Sequence, residues 1–325
     1  MPSPACIACA SDAAFLPAGR VVAREGTFDL RRCPRCGLLG LDPPPTAEVL
    51  DAAYGEGYYG PEHVRFAPGL EPAVVALSAR RARGIARFAR PPARVLDVGC
   101  GRGEVLRALV RLVPEAFGTE RDERSARAAR ASSGAAVHVG DLADARYADA
   151  FFDVATAWHV LEHLGDPAGA VAELARVIRP GGALLVECPN VDSLQARLGG
   201  EKWFHLDVPR HQFDFGTRSL SLLLERFGFG IEKTETFSLL QGPFGLYQTL
   251  LNRLGLRRDA FYEGLRRVPS TLREAPGAIG ISSLLSPLGF PLSFLVEMAA
   301  AAAGAGGVVR IVARRPPAAS ILEQD

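Results

Sequence analysis

Residues 95–104 read Val-Leu-Asp-Val-Gly-Cys-Gly-Arg-Gly-Glu, and no other stretch of the chain restricts its fold as tightly. An apolar run ends in glycines at 99, 101 and 103 and leads into a helix-forming segment. Glycine lets a ligand approach the backbone where a side chain would obstruct it, and the helix that follows offers free amides. Alone, the motif specifies only a nucleotide-like ligand at a strand end. Glu104 stands where the dinucleotide fingerprint wants its third glycine. A carboxylate there sits badly beside a pyrophosphate, so a ligand without phosphates is expected.

Around the motif, short apolar runs alternate with amphipathic stretches, the pattern of strand and helix units on a parallel sheet. Strands are predicted at 94–98, 116–119, 136–139, 152–158, 183–188 and 230–237, with Val308–Ala313 closing the sheet. The best-signalled helix has Asp166 as cap, Pro167 in its first position, and Val171, Leu174, Val177 and Ile178 on one face. Pro180-Gly181-Gly182 is expected to stop it. Another helix starts near Thr217, with Leu220, Leu223, Leu224 and Phe227 on one face, and an arginine- and alanine-rich helix is expected at about 72–89. At 325 residues the chain can hold one large core and a smaller module. The division expected is a module at 1–45, a helical linker at 46–92, a core at 93–237 and 307–316, and a helical insertion at 238–306.

Cys6-x-x-Cys9 and Cys33-x-x-Cys36-Gly are separated by 23 residues. Each pair can present two thiolates from a tight knuckle, and two knuckles complete a tetrahedral site. Structural zinc on Cys6, Cys9, Cys33 and Cys36 is the expectation, with redox disulfides as the alternative. Cys100 and Cys188 read as buried thiols beside the ligand site. No secretory signal is visible at the N-terminus, and the cysteines suit a reducing compartment, so a cytoplasmic location is expected. The formal charge of +1 and pI near 7.7 supply no basic field, which argues against a nucleic-acid partner.

From Ala275 to Val309 only Glu297 is charged. The length suffices for a membrane span, which needs about 20 apolar residues. However, Pro287, Pro291 and several glycines interrupt it, and both ends must return to one sheet. Three arrangements stay open: helices packed as a lid, peripheral membrane contact through 275–306, or a true span.

Residues 94–190 resemble the core of class I S-adenosylmethionine-dependent methyltransferases, whose first motif is an acidic residue followed by Gly-x-Gly-x-Gly. Glu120 in Phe-Gly-Thr-Glu, Asp141 in His-Val-Gly-Asp-Leu, Asp153-Val-Ala-Thr-Ala-Trp-His159 and Arg179-Pro-Gly-Gly-Ala-Leu-Leu-Val186 follow that family's order. The resemblance implies an α/β fold, a Rossmann-like seven-stranded methyltransferase sheet, with a small zinc-binding N-terminal module and a helical insertion before the last strand. It implies S-adenosylmethionine as cofactor. Asp97, Gly99, Cys100, Gly101 and Gly103 would hold the methionine end, Glu120 the ribose, Asp141 and Leu142 the adenine, with Trp158 near the methyl group. The expected reaction is methyl transfer to a small molecule: a sugar, a lipid-linked intermediate or another secondary metabolite. A nicotinamide-dependent oxidoreductase and a zinc-ribbon RNA methyltransferase are the alternatives.

Methyl transfer from a sulfonium is largely alignment and removal of water, and a base is needed only when the acceptor carries a proton. Candidates are His159, His163 and His211. If Trp158-His-Val-Leu-Glu-His163 is helical, His159, Glu162 and His163 share a face. Some O-methyltransferases of the superfamily, ubiquinone-type and small-RNA enzymes among them, use a similar Glu-His pair in a metal site. Roles in acid–base work, acceptor contact, structural support and metal binding all remain open here. The cluster Trp203-Phe-His-Leu-Asp-Val-Pro-Arg-His-Gln212 resembles a substrate loop and gives Trp203, His205, Arg210 and His211 as acceptor contacts, joined by Glu162. The cysteine head resembles a zinc module found on some bacterial methyltransferases, in which a Tyr-Tyr pair follows, and this adds Tyr58 and Tyr59.

Overall fold

The computed structural model describes residues 5–55 and 71–317, so Tyr58 and Tyr59 lie outside the described residues. The N-terminal strands β1 (Leu16–Ala23), β2 (Gly26–Arg32) and β3 (Leu39–Asp42) form an antiparallel meander. The core strands are β4 (Arg94–Val98), β5 (Glu115–Glu120), β6 (Ala136–Val139), β7 (Phe152–Trp158), β8 (Ile178–Pro189), β10 (Gly230–Glu235) and β11 (Val308–Arg314), while β9 (Phe213–Asp214) joins the meander. The seven-stranded sheet has the order β10-β11-β8-β7-β4-β5-β6. Strands β4 to β8 are mutually parallel and β11 runs against both of its neighbours.

Apolar clusters cover both faces of the sheet, which is why β4, β7 and β8 read as nearly continuous hydrophobic runs. The chain leaves β4 for β5 and β6 on one side, then returns to β7 and β8 on the other. Ligands of open parallel sheets sit at such a reversal, outside the carboxyl ends of the strands. Gly99–Gly103 and His159–His163 both occupy that edge, after β4 and β7 respectively.

The helix Pro167–Val177 forms as its signals require: Asp166 accepts a hydrogen bond from the Gly169 amide at 2.8 Å, and Val171, Leu174 and Val177 are buried. Ile178, expected on that helix, begins β8 instead. Pro180-Gly181-Gly182 forms an irregularity within β8, whose pairing with β7 jumps from Phe152↔Ile178 to Val154↔Ala183. The helix Glu71–Ala86 falls close to its predicted range. The insertion is helical throughout most of its length, with Gln241–Arg253, Ala260–Leu265, Pro269–Glu274 and Pro276–Ala302.

The N-terminal module is less separate than its sequence implies. Its sheet is extended by β9 through Leu39↔Asp214 and Gly40↔Phe213. Cys6, Cys33, Cys36 and Leu38 share a buried cluster with Phe215, Leu220 and Leu223 of the main body.

Candidate functional site

The turn after β4 carries three glycines with left-handed backbone: Gly99 (φ 65), Gly101 (φ 56) and Gly103 (φ 81). L side chains are strained there. A Cβ on Gly99 would stand 2.6 Å from Val160 Cγ2 and one on Gly103 would stand 2.8 Å from Ala129 Cα, whereas at Gly101 the space is open to 4 Å. Glu120, at the end of β5, accepts from the amides of Gly101 and Asp122, each at 2.9 Å. Burial raises its carboxyl above the usual range. Asp97 is buried in the sheet and accepts from the Thr156 hydroxyl at 2.8 Å, and burial lifts its pKa to about 6.

At the end of β6, Asp141 is exposed with Arg121 3.7 Å away, and the side chain of Leu142 is buried. The indole Nε1 of Trp158, ending β7, is buried with no hydrogen-bond partner among the described residues. An open glycine cradle, a carboxylate beside it and further acidic and aromatic groups on the neighbouring strand ends fit the amino-acid, ribose and base portions of S-adenosylmethionine. Cys100 lies beneath the turn as a buried thiol, with its pKa raised by burial.

Beyond β7, a short 3-10 turn spans Leu161–His163. The residues before the turn are not helical, so His159, Glu162 and His163 do not share a helical face. Instead, one ligand atom from each of Glu162, His163 and His211 lies within 4.8 Å of the others. The chain brings His211 in by two ties: the Gln212 amide donates to the Glu162 carbonyl at 2.9 Å, and Gln212 Nε2 donates to the His163 carbonyl at 2.9 Å. The Leu41 amide of β3 donates to the Gln212 carbonyl at 3.2 Å. The N-terminal sheet therefore braces the segment that carries His211. Tyr54, outside the expected site, meets His163 Nδ1 through its hydroxyl at 3.0 Å.

Glu162 Oε2, His211 Nδ1 and Asp214 Oδ1 are buried without a hydrogen-bond partner among the described residues. The His211–Asp214 separation of 3.6 Å is too long to satisfy either group. Burial and the neighbouring His211 hold His163 down to about 4, which keeps its imidazole neutral. Unsatisfied buried polar atoms are costly, and two imidazoles with one carboxylate form a donor set that binds divalent metals.

His159 has a different position from the one expected. At φ 54 it lies between two carboxylates, Nδ1 at 3.2 Å from Glu162 and Nε2 at 3.2 Å from Glu187. Burial alone would depress its pKa, but the two carboxylates raise it to about 9. The two carboxylates thus favour its protonated form. Burial would raise Glu187, yet His159 and Arg310 hold it at about 2. Arg310, opposite Glu187 in the β8–β11 ladder, donates Nε at 2.7 Å, and Arg81 stands 3.6 Å away while also covering the Trp158 ring at 4.3 Å.

The acceptor loop also differs in part. Trp203 is 2 % exposed and packs beneath the N-terminal sheet, with its Nε1 donating to Gln195 at 3.4 Å, so it is a core residue. His205 is buried against the Gln241 carbonyl at 3.3 Å. Burial depresses its pKa to about 3. Arg210 is committed to Asp207 at 2.8 Å and to the Ala53 carbonyl at 3.0 Å. The polar groups of these residues are engaged within the fold and are not presented to an acceptor.

In the cysteine module, Cys6 and Cys36 sulfurs are 3.6 Å apart, Cys9 and Cys33 sulfurs 3.8 Å, and all four lie within 4.8 Å of one another. A tetrahedral zinc with Zn–S near 2.3 Å requires sulfur separations of about 3.8 Å. The four residues fit that ion.

A family model described as a methyltransferase domain matches residues 75–234. A probable S-adenosylmethionine-dependent methyltransferase of Mycolicibacterium smegmatis is 33 % identical over 141 residues, covering 43 % of this chain and 53 % of that protein. The chain thus spans about half the length of this relative. A ubiquinone biosynthesis O-methyltransferase of Thiobacillus denitrificans is 31 % identical over 193 residues, covering 56 % of this chain and 79 % of that protein. Among solved structures, the cyclase SpnF superposes with TM-score 0.51 at 19 % identity, covering 85 % of this chain and 98 % of that one, a likeness of fold alone. Sheet order, glycine cradle and these relatives converge: the chain belongs to the S-adenosylmethionine-dependent methyltransferase family.

Proposed function

We propose that this chain transfers a methyl group from S-adenosylmethionine to a hydroxyl of a small-molecule acceptor, at a divalent metal held by Glu162, His163 and His211. The observation that carries this reading is the trio itself, in which Glu162 Oε2 and His211 Nδ1 are buried without partners among the described residues. The ubiquinone O-methyltransferase relatives support the acceptor class. A divalent cation at this site would supply Lewis acidity to an acceptor hydroxyl.

The chain's own residues do the remaining work. The glycine turn and Glu120 seat the donor at the strand ends, and the turn Leu161–His163 sets the acceptor side against it. Tyr54 fixes the His163 ring through Nδ1, as hydrogen-bonded partners orient metal ligands elsewhere. In the reaction the acceptor oxygen forms a bond to the methyl carbon as the carbon–sulfur bond breaks. The sulfonium becomes a neutral thioether, and the hydroxyl proton is released.

The four cysteines are proposed to hold a structural zinc that keeps the N-terminal sheet folded against β9. The test uses methyl-labelled S-adenosylmethionine and a metabolite extract. Label entering the low-molecular-mass fraction, lost on chelation and diminished about 10- to 100-fold by His211→Ala, is expected. Label found only in RNA or protein would contradict the acceptor class, and chelator-resistant transfer would contradict the metal.

A further inference from the structure

The helix Pro276–Ala302 is amphipathic the wrong way round for water. Its buried stripe holds Ser282, Gly289, Ser293, Glu297 and Ala300, and its outer stripe holds Ile281, Leu284, Leu285, Leu288, Leu292 and Leu295. At 100° per residue the six outer side chains fall within an arc of about 100°. They are 43 to 83 % exposed. Only 11 % of the most apolar window of this helix is buried.

The inner stripe is tightly fitted to the helix Gln241–Arg253. Tyr247 donates its hydroxyl to the Ser282 carbonyl at 2.5 Å, and a Cβ on Gly289 would strike the Tyr247 ring. Glu297 accepts from the Gly307 amide and stands 3.4 Å from Gln195. Small and polar residues packed between helices, with leucines turned outward, are the arrangement of helices whose solvent is hydrocarbon. Patches of this kind on a soluble surface mark interaction sites. Leu250, Leu254 and Leu272, in or next to helices that pack on this one, are also exposed.

Charge identifies the occupant. Between Arg253 and Glu274 the chain carries six arginines, at 253, 257, 258, 266, 267 and 273, against three acids, Asp259, Glu263 and Glu274. Arg253, Arg257, Arg267 and Arg273 are exposed. This segment folds into the two short helices that pack on Pro276–Ala302. An apolar ridge on a helix packed against an arginine-rich segment complements an anionic lipid leaflet, in which leucines enter the acyl boundary and arginines remain at the headgroups. A second copy of the chain would bring the same positive charge against itself.

We propose that the leucine ridge Ile281–Leu295 docks the protein in the plane of an anionic membrane surface. The packed inner stripe keeps the helix lying along the protein body, so the contact is peripheral and does not span the bilayer. The same insertion touches the wall of the methyl-transfer site, where the His205 ring meets the Gln241 carbonyl at 3.3 Å. Docking would therefore bring the reaction chamber near the bilayer. The inference stands on the surface alone and does not rest on the acceptor reading.

The test is flotation of the full chain with vesicles of phosphatidylcholine, alone or mixed with phosphatidylglycerol. Binding to the anionic vesicles, weakened as salt rises, is expected. The double variant Leu288→Glu/Leu292→Glu should lower the bound fraction about tenfold or more, with an unchanged thermal melt and unchanged affinity for S-adenosylhomocysteine as controls. Wild-type protein that ignores both vesicle types, or a double variant that binds as well as wild type, would overturn the proposal. So would a dimer in sedimentation equilibrium that the same two substitutions dissociate, since the ridge would then belong to a second copy. The readout is vesicle binding, so a negative result leaves the methyltransferase reading untouched.

Discussion

Without the buried Glu187 carboxylate, Arg310, Arg81 and a protonated His159 would face one another in a partly buried space. Breaking one side of a buried ionic cluster typically costs about 3–5 kcal/mol. Glu187→Gln is expected to lose that much in urea unfolding, and a loss below about 1 kcal/mol would show that the cluster is better solvated than its burial indicates. The same cluster sets a pH dependence. The folded pKa of His159, about 9, lies above its ordinary 6.5, so its contribution is complete below pH 6.5 and is lost as pH rises through 9. Glu187 is held at about 2, below its ordinary 4.5, so its contribution is complete above pH 4.5 and is lost as pH falls through 2. Their joint contribution is greatest between 4.5 and 6.5. Urea midpoints should decline from pH 6.5 to 9 in the wild type and decline less in His159→Asn; parallel profiles would remove His159 from the account.

Residues of this kind were only half legible. The glycine turn could be read because its left-handed backbone suits residues without a side chain. Glu187 in Leu-Leu-Val-Glu-Cys and Arg310 in Val-Val-Arg-Ile-Val are each a lone charge in an apolar strand, and a buried charge needs a partner. That signal was present, but the pairing depends on the β8–β11 register, which neither segment specifies by itself. Trp203 misled for the opposite reason: an aromatic residue in a polar loop looks available until the N-terminal sheet is laid over it.

At the scale of elements, long periodic segments were the readable ones. The helix at Pro167 and that at Thr217 follow from caps and apolar spacing, and the core strands from continuous hydrophobic runs. The two-residue β9 has no periodicity to detect, and so the attachment of the cysteine module to the core could not be foreseen. This attachment predicts a coupled loss. Chelation or Cys33→Ser should release one zinc per chain, measured by mass spectrometry, and should lower the melting temperature, because binding energy at a structural zinc site is folding energy, on the order of 10 kcal/mol. Since β3 supports the segment carrying His211, methyl transfer should fall together with stability. A zinc-free module with unchanged melting would show that hydrophobic packing alone holds the sheet.

For the whole molecule, the parallel sheet places the glycine turn at its strand ends, the module and the Gln212 ties hold His211 beside Glu162 and His163, and the insertion faces outward with its leucines. The family was readable because motif order along the chain maps directly onto strand ends. Glu162, His163 and His211 were each readable as candidates, but their meeting as one donor set was not, because they come from segments that only the tertiary fold brings together. Calorimetric titration of the zinc-loaded chain with S-adenosylhomocysteine, run beside NAD, tests the central claim most directly. The account predicts a single saturable site for S-adenosylhomocysteine, weakened about tenfold by Asp141→Ala with the fold intact, and no binding of NAD. Saturable NAD binding with no heat from S-adenosylhomocysteine would contradict it.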